Sequence, residues 1–362
     1  MPMIEPLRNF YGRFERPISS LSLILGFVLD IFTLKRVDTL FEDLFILGYL
    51  IIIGIFITLT HLKETEGNSE HNPDSAHFWY VNVLQFAFGG VFSAYLVLYF
   101  RSADILVAWP FIALLATIFI ANEFLKKHYI RLSFQISLFF LSIYWFMIFI
   151  VPVLLHRIGV LVFLFSGFVS LAIITIFIAI LFRIIKDKFE KSKKLLNALI
   201  MGIFVSVNFL YFTNLIPPIP LSLKDAGIFH SIQKNEKGNY EVTYEEYGWR
   251  GYFKLYENFN KTPDEPVYAY SAVFSPKNLN LKIIHEWQYY NETGKEWVTE
   301  SKINLAVVGG RDGGFRTYSM RSNLTEGKWR VRVMTEGGQT IGHIRFNVIP
   351  ADLKPPLIKN VK

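Results

Sequence analysis

Two sets of residues have types and spacings that could do chemistry. The first is the stretch GGRDGGFRTYS (309–319), which holds four glycines and two arginines, Arg311 and Arg316. Glycine-rich loops bind phosphate where a helix follows them, and paired arginines can clamp an anion. No helical pattern and no GK[ST] follows this stretch, which excludes a dinucleotide fingerprint and a P-loop. We predict a connection between strands whose arginines are either solvated or hold an anion.

The second set consists of polar residues at the ends of apolar segments. Its members are Asp30, Arg36, Asp38, Glu42, Asp43, Arg101, Asp104, His156, Arg157 and Asn214. Charges at the edge of a bilayer commonly anchor helix ends or pair with one another. Because acid, base and cation are all present, the same residues also suit a polar pocket, open to the outer side, for the head group of a lipid or a lipid-linked sugar. The sequence leaves both interpretations open.

The first half of the chain is strongly apolar, and its predicted helices would position the second set of residues. Of the 362 residues 52% are hydrophobic and 17% aromatic, and the mean hydropathy is +0.33, which is typical of a membrane protein. A helix needs about 20 apolar residues to cross a bilayer. Seven segments meet that test: about 18–34, 39–60, 78–100, 104–124, 132–154, 159–182 and 195–217. We therefore predict a seven-span α-helical bundle over residues 1–217.

The distribution of Lys and Arg predicts how this bundle is oriented. One set of alternate connections holds 13 of these residues and the other holds four. Because basic residues concentrate on the cytoplasmic side, the N-terminus is expected in the cytoplasm, and seven crossings then place the C-terminal half outside the cytoplasmic membrane. The basic run KDKFEKSKK (186–194) is then interpreted as a solvated cytoplasmic loop.

The second half has the pattern of an all-β domain. A Pro-rich neck at 218–228 ends the last helix, and from residue 229 apolar residues alternate with polar ones. Strands are predicted at 267–274, 281–290, 296–308 and 315–320. A hairpin is also predicted, in which EGG (336–338) forms the turn and the two strands carry apolar faces at 329–333 and 344–348. About seven strands over 229–350 predict an immunoglobulin-like sandwich, with a small barrel as the alternative. Residues 351–362 are interpreted as a C-terminal tail.

Four short motifs follow one another in this β region. They are His285-x-Trp287, Gly309-Gly310-Arg311, Arg316-x-x-Ser319 and Gly327-x-Trp329-x-Val331. In this order they resemble a bacterial domain of unknown function that is found at the C-termini of membrane proteins, over about residues 280–349. The chain is also similar to proteins of small-genome bacteria in which a multi-pass half with a GFVLDIFTLKRVD-like segment (26–38) precedes that domain. The resemblance implies no activity.

The motif residues are candidate ligand contacts of the β domain. They are His285, Trp287, Arg311, Arg316 and Ser319. His285 shares a strand face with Ile283 and Trp287, so it fits a packed, hydrogen-bonded histidine as well as a site residue. The tryptophans likewise fit a core as well as a platform on which a sugar stacks.

Several function classes are excluded by composition. The chain has no cysteine, which rules out disulfides, cysteine-ligated metals and thiol nucleophiles. No Ser-His-Asp, HExxH or kinase motif set is present, and we expect neither a metal nor a cofactor. The net charge of +7 follows from membrane topology, since no basic stripe interleaved with aromatic residues indicates a nucleic-acid partner.

Two functions remain from the sequence. The first is a non-enzymatic protein of the cell envelope, held in the lipid bilayer, that presents its β-sandwich to a glycan, a wall polymer or a protein partner. The alternative is a membrane enzyme or flippase that acts on a lipid-linked sugar at the outer face of the helix bundle. The first expectation rests on fold analogy, because β-sandwiches outside membranes are commonly recognition modules.

Overall fold

The computed structural model describes residues 21–34, 40–64, 76–102, 105–125, 128–129, 131–218, 220–236, 239–246, 256–276, 279, 281–307 and 313–362. The chain forms two compact units. One comprises residues 1–101 and 109–216, and its described part is helical; the other comprises residues 102–108 and 217–362, and its described part consists mainly of β-strands. We call them the helical unit and the β unit.

Seven helices lie within the described residues. They are α1 (Leu21–Thr33), α2 (Leu40–Glu64), α3 (Ala76–Ser102), α4 (Ile105–Phe124), α5 (Leu132–Leu155), α6 (Val160–Ile184) and α7 (Lys186–Phe212). Five of them, α2, α3, α5, α6 and α7, are long and apolar enough to cross a membrane. The apolar parts of α1 and α4 are shorter, so the predicted count of seven spans is not confirmed.

The centre of the helical unit is aromatic. Helices α3 and α5 are largely buried, and Tyr95 packs edge-on against Trp145 with ring centroids 5.8 Å apart. The Tyr95 hydroxyl donates to the carbonyl of Ser142 at 2.6 Å, so this buried phenol has a partner. Helices α6 and α7 expose most of their apolar side chains, which suits surfaces in contact with lipid.

Helix α7 differs from the sequence prediction at both ends. The run KDKFEKSKK, predicted as a loop, forms its first turns, and the helix ends at Phe212 instead of residue 217. Lys and Glu favour helix and the run contains neither Pro nor Gly, so nothing in it stops helix formation. After Phe212, the amides of Leu215 and Ile216 both bond to the carbonyl of Leu210.

The described part of the β unit contains eleven strands. They are β1 (Ser222–Phe229), β2 (Ser231–Lys234), β3 (Tyr240–Glu245), β4 (Glu257–Lys261), β5 (Val267–Phe274), β6 (Leu281–Asn291), β7 (Glu296–Val307), β8 (Phe315–Arg321), β9 (Gly327–Thr335), β10 (Thr340–Pro350) and β11 (Leu357–Val361). They form a central sheet of order β1-β5-β8, a large sheet of order β4-β10-β9-β6-β7 and a small sheet of order β11-β3-β2.

The large sheet and the small sheet lie on opposite faces of β5, the middle strand of the central sheet. On one face, Ser271 of β5 contacts His285 in the large sheet. On the other face, Tyr270 packs in a cluster with Ile232 and Val242 of the small sheet. Because both faces are covered, β5 has the nearly continuous apolar sequence VYAYSAVF instead of a strict alternation.

This arrangement goes beyond the predicted sandwich. The immunoglobulin-like fold is not confirmed, because eleven strands in three sheets replace about seven, and β4 pairs with β10 in parallel. Strand β1 begins at Ser222, inside the segment predicted as a neck, and β11 lies in the segment predicted as a tail, where Leu357–Val361 pairs with β3. These short strands pair with strands that are far away in the sequence, and a local sequence pattern does not reveal such pairing.

Candidate functional site

One face of the large sheet in the β unit carries several arginines. Its strands alternate, so Trp329, Val331 and Val333 of β9 are buried while Arg330 and Arg332 lie on the opposite side. Arg345 of β10 is paired directly with Arg330 across the sheet. We call the surface formed by Arg330, Arg332, Arg345 and the neighbouring Trp297 the arginine face.

Each of two arginines on this face is held by defined contacts. The Nε of Arg330 donates to Oε1 of Gln288 at 2.6 Å, and its guanidinium lies 4.2 Å from the centroid of the Trp297 ring. Arg332 donates to Oε2 of Glu286 at 3.0 Å and to the hydroxyl of Thr340 at 2.8 Å. Fixed guanidinium groups recognise planar anions with little loss of side-chain entropy.

Positive charge on the arginine face is not fully neutralised. Glu286 is buried, and both of its carboxylate oxygens are already occupied, Oε1 by Lys302 at 3.2 Å and Oε2 by Arg332. Burial, together with repulsion from Arg332 and Arg345, lowers the pKa of Arg330 to about 10. An anionic ligand would offset the repulsion that Arg332 and Arg345 exert on Arg330.

Aromatic rings border the arginines. Trp297 and Tyr290 are half-buried cross-strand neighbours, with ring centroids 5.1 Å apart. Lys328 lies 5.3 Å from the centroid of the Tyr290 ring and pairs with Glu292 at 2.8 Å. Aromatic rings beside charged donors suit a sugar that carries an acidic group, because the ring stacks while the charge is bound.

The motif residues His285, Trp287 and Ser319 meet in the interior. His285 is fully buried, and its Nε2 and Nδ1 lie 2.8 Å from the hydroxyls of Ser271 and Ser319. The indole of Trp287 donates to the Ser319 hydroxyl at 3.0 Å. Burial lowers the pKa of His285 to about 3, so the ring is neutral at physiological pH. These residues join the large sheet to the central sheet.

The remaining motif residues lie in the glycine-rich connection or directly after it. Arg316 donates to Oδ1 of Asn239 at 2.9 Å and to the main-chain oxygen of Lys362 at 2.7 Å, which ties β8 to the small sheet. Arg311 lies outside the described residues. At Gly314, φ is +81° and an added Cβ would lie 2.8 Å from the carbonyl carbon of Ala272, so this glycine allows a close approach to β5.

A buried ionic cluster in the β unit was missed by the sequence analysis. His230 lies between two glutamates, with Nδ1 2.9 Å from Glu265 and Nε2 3.3 Å from Glu245. Asn260 donates to Glu245 through its backbone and side chain, both at 2.6 Å, and Thr262 donates to Glu265 at 3.0 and 2.8 Å. The available signal was weak, since these residues stand at strand ends far apart in sequence.

The pKa values of this cluster shift as an ion pair requires. Burial alone would lower the pKa of His230, but hydrogen bonds and charge from Glu245 and Glu265 outweigh burial and raise it. Burial alone would raise the pKa of each glutamate, and the same contacts lower both instead. The favoured state is therefore an imidazolium between two carboxylates.

The polar residues predicted at the ends of the helices are only partly brought together. Asp30 is buried against the hydroxyl of Ser93, and Arg101 donates to the carbonyl of Ile31, so both fasten α1 to α3. Glu42 and Asp43 lie in the first turn of α2. His156, Arg157 and Asn214 are exposed beyond the ends of α5 and α7. Arg36, Asp38 and Asp104 lie outside the described residues.

A different polar group surrounds Asp30. A cavity of about 140 Å³ is lined by Asp30 and Tyr49 together with Asn82, Gln85, Gly89, Gly90, Ser93, Asn122 and Glu123, and by Ser22, Leu23, Gly26, Phe27 and Phe86. Asn122 and Gln85 exchange hydrogen bonds, since the Asn122 amide donates to the Gln85 carbonyl at 3.1 Å and the Gln85 amide to the Asn122 carbonyl at 3.4 Å. The sequence analysis did not predict this cavity.

The comparisons with known proteins identify part of the β unit. Residues 280–348 match the model of a family described as "Protein of unknown function (DUF2914)". The C-terminal region contains a DUF2914 domain. This domain includes β6–β9 and most of β10 and holds every residue of the arginine face, and the motif residues of the sequence resemblance lie in it.

Other similarities add no function. No curated protein matches this chain. Among solved structures, the chain is similar to alkylpurine DNA glycosylase AlkC of Pseudomonas fluorescens bound to DNA containing an abasic site analog. The identity is 9%, the match covers 87% of this chain and 100% of that chain, and the TM-score is 0.21. A TM-score of that size supports no conclusion about fold or function.

Proposed function

We propose that the protein is a multi-pass protein of a bacterial cytoplasmic membrane whose DUF2914 domain binds an acidic glycan or wall polymer outside the cell. The arginine face is the observation on which this proposal rests. Arg330 and Arg345 are paired directly across the sheet, neither forms an ion pair within the part of the chain that the structure describes, and Trp297 beside Arg330 offers a ring for stacking. A non-enzymatic role is favoured because His285, the motif histidine, is buried and neutral.

The proposed topology has seven crossings, with α1 and α4 also in the membrane. It is supported by the surplus of Lys and Arg in alternate connections and by the five long apolar helices. Reporter fusions at residue 186 and at residue 362 test it. Opposite compartments for the two fusions are expected, and activity of both in the cytoplasm would refute the topology.

Binding is tested with the full-length protein in detergent. Polygalacturonate serves as an acidic glycan and pullulan as a neutral one, with affinity measured by isothermal titration. We expect binding of the acidic polymer only, with affinity that falls as salt is raised. The double variant Arg330→Gln, Arg345→Gln should lose about tenfold in affinity per arginine, the typical effect of a charged hydrogen bond.

A matched control separates a site from general attraction. Lys354→Gln with Lys359→Gln removes the same charge from residues 351–362, at exposed positions away from the arginine face. The control should bind as the wild type does. Equal weakening by both double variants, or equal binding of pullulan, would refute the site. Binding of an envelope protein by the same face, with no affinity for either glycan, would also refute the glycan proposal.

The alternative, an enzyme or flippase for a lipid-linked sugar, depends on the polar residues at the helix ends. Among the described members of that set, Asp30 alone lines the cavity of the helical unit, so the binding role is preferred.

A further inference from the structure

A groove runs between α5 and α7 on the surface of the helical unit. Its first part, with a volume of about 330 Å³, is lined by residues between 128 and 141 and between 195 and 203. Its second part, also about 330 Å³, is lined by residues of α4, α5 and α7, the last of which is Leu210. Leu141, Leu199 and Ile203 line both parts, so the two are continuous. We call them together the α5–α7 groove.

The polar end of the α5–α7 groove lies where two apolar helices begin. Arg131 in the lining directly precedes α5, and the apolar part of α7 begins at Ser192. Lys193 and Lys194 are exposed and stand just before Leu195, the first residue of α7 in the lining. Both helices are long and apolar enough to cross a membrane. In a bilayer this end therefore lies at the level of the lipid head groups.

The charges of the polar end suit an anion. Its ionisable lining residues within the described part of the chain are His128 and Arg131, and that lining holds no Asp or Glu. Arg131 is exposed and makes no side-chain cap hydrogen bond to α5, whose N-terminus adds partial positive charge. A guanidinium group presents its N–H donors in a fork that matches the oxygens of a phosphate. A phosphate group is therefore the expected anion at this end.

Two buried polar atoms at the same end have no hydrogen-bond partner within the described residues. They are the hydroxyl oxygen of Ser137, a residue that is 7% exposed, and Nδ1 of His128. Serines inside helices commonly donate to the carbonyl four residues earlier, as Ser142 of the same helix does to Leu138 at 2.9 Å. Because a buried polar atom without a partner costs free energy, these two atoms indicate that a polar group of a ligand occupies this end.

The remainder of the groove suits an acyl chain. Its walls are mostly apolar side chains such as Ile118 and Leu141. From Leu195 to Leu210 the axis of α7 rises about 22 Å, at about 1.5 Å per residue, whereas one leaflet offers about 15 Å of hydrocarbon. The groove is thus long enough for a complete chain. Gly202 keeps it open, since an added Cβ would meet no atom of another helix within 4 Å.

We propose that the α5–α7 groove binds an anionic phospholipid. Its phosphate lies against Arg131 and near Ser137, and one acyl chain lies along the apolar part of the groove. A free phosphate ion would leave the apolar part empty, and a zwitterionic lipid would bring a positive group towards Arg131, Lys193 and Lys194. Basic pockets between membrane helices suit anionic lipid head groups. The charge and the shape of the groove together therefore select this class of lipid.

The test compares two lipids that share their acyl chains. Full-length protein is delipidated in detergent, and its unfolding temperature is measured against the concentration of dioleoylphosphatidylglycerol, of dioleoylphosphatidylcholine or of sodium phosphate at equal ionic strength. Phosphatidylglycerol should raise the unfolding temperature in a saturable way, with a midpoint about tenfold lower than that of phosphatidylcholine, the effect of one charged hydrogen bond. Sodium phosphate should have no such effect.

A charge variant locates the head group. Arg131→Gln should raise the phosphatidylglycerol midpoint about tenfold and leave the phosphatidylcholine midpoint unchanged. Arg183→Gln is the matched control, because Arg183 is an exposed arginine in the last turn of α6 and does not line the groove. The control should bind both lipids as the wild type does.

A glycine variant locates the acyl chain, and it serves if Arg131→Gln does not fold. Gly202→Leu fills part of the groove and replaces glycine by a better helix former, so it should raise the midpoints of both lipids. Gly48→Leu on α2 is the matched control, because an added Cβ there also meets nothing within 4 Å and Gly48 lies outside the lining. This control should leave both midpoints unchanged.

Four results would overturn the inference. They are equal midpoints for the two lipids, the same stabilisation by sodium phosphate, no saturable response to phosphatidylglycerol, and equal losses in the groove variants and their controls. The groove lies in the helical unit, so the outcome does not depend on the glycan proposal.

Discussion

Replacing His230 by Gln should destabilise the β unit through a change of charge. The imidazolium contacts Glu265 at 2.9 Å and Glu245 at 3.3 Å, and Gln cannot replace its positive charge. Removing one member of a buried ion pair costs about 3–5 kcal/mol in free energy of unfolding. Because Asn260 and Thr262 still donate to the two carboxylates, the lower value applies. About 3 kcal/mol lowers the unfolding temperature of a unit of this size by about 10 °C.

The effect should depend on pH with a defined sign. The pKa of His230 is raised above its ordinary value of 6.5, so its contribution is fully present below pH 6.5 and is lost as pH rises through the higher folded value. The pKa values of Glu245 and Glu265 are lowered from 4.5, so their contribution is present above pH 4.5 and is lost as pH falls through the folded values. The substitution should therefore cost most between pH 4.5 and 6.5.

Scanning calorimetry of the full-length protein in detergent at pH 5.5 and pH 8.5 measures this difference. Hydrogen exchange of peptides from β1 and β3 assigns it to the β unit. His156→Gln, the same substitution at an exposed position of the helical unit, should leave the transition of the β unit unchanged. A His230→Gln variant within 1 kcal/mol of the wild type at pH 5.5, or equally destabilised at both pH values, would refute the ion-pair interpretation.

Three further variants lie within the DUF2914 domain. Ser319→Ala should lower the free energy of unfolding by about 1–3 kcal/mol in urea titrations, because the buried His285 and Trp287 lose a shared partner. Because the pKa of His285 is lowered from 6.5 to about 3, its contribution is present above pH 6.5 and falls between pH 6.5 and 3, opposite to the trend of His230. Gly314→Ala should cost at least about 1 kcal/mol through strain at positive φ and a steric clash, measured by the same titration. Arg316→Ala should accelerate hydrogen exchange at 357–361 without changing glycan affinity, and a loss of affinity would show that this arginine contacts the ligand instead.

Much of the helical unit follows from apolar length alone. The predicted segments 78–100, 104–124 and 132–154 agree with α3, α4 and α5 to within two residues at each end. Apolar runs of this length have few alternatives in a bilayer, since only a helix satisfies its own backbone. The cavity was not predictable, because it requires α1, α2 and α4 to meet one face of α3, and no local pattern encodes that meeting.

The β unit was predictable where strands alternate and are joined by tight turns. Strands β5 to β10 lie within a few residues of the predictions, and the buried Trp329, Val331 and Val333 were correctly assigned to the inner face. The arginine face could have been found from the same alternation, since Arg330 and Arg332 are the outward partners of those residues. The ion pair of His230 could not have been found from the sequence, because its members come from strand ends and connections that are far apart in the chain.

The burial of β5 on both faces limits how far this chain can be truncated. The family match starts at residue 280, after β5, whereas β8 inside the match pairs with β5 in the central sheet. A fragment restricted to 280–348 would lose the neighbour of β8 and the Ser271 hydroxyl that meets His285. The family match is thus shorter than the segment that is needed for folding. A fragment made for expression should therefore start upstream of β1.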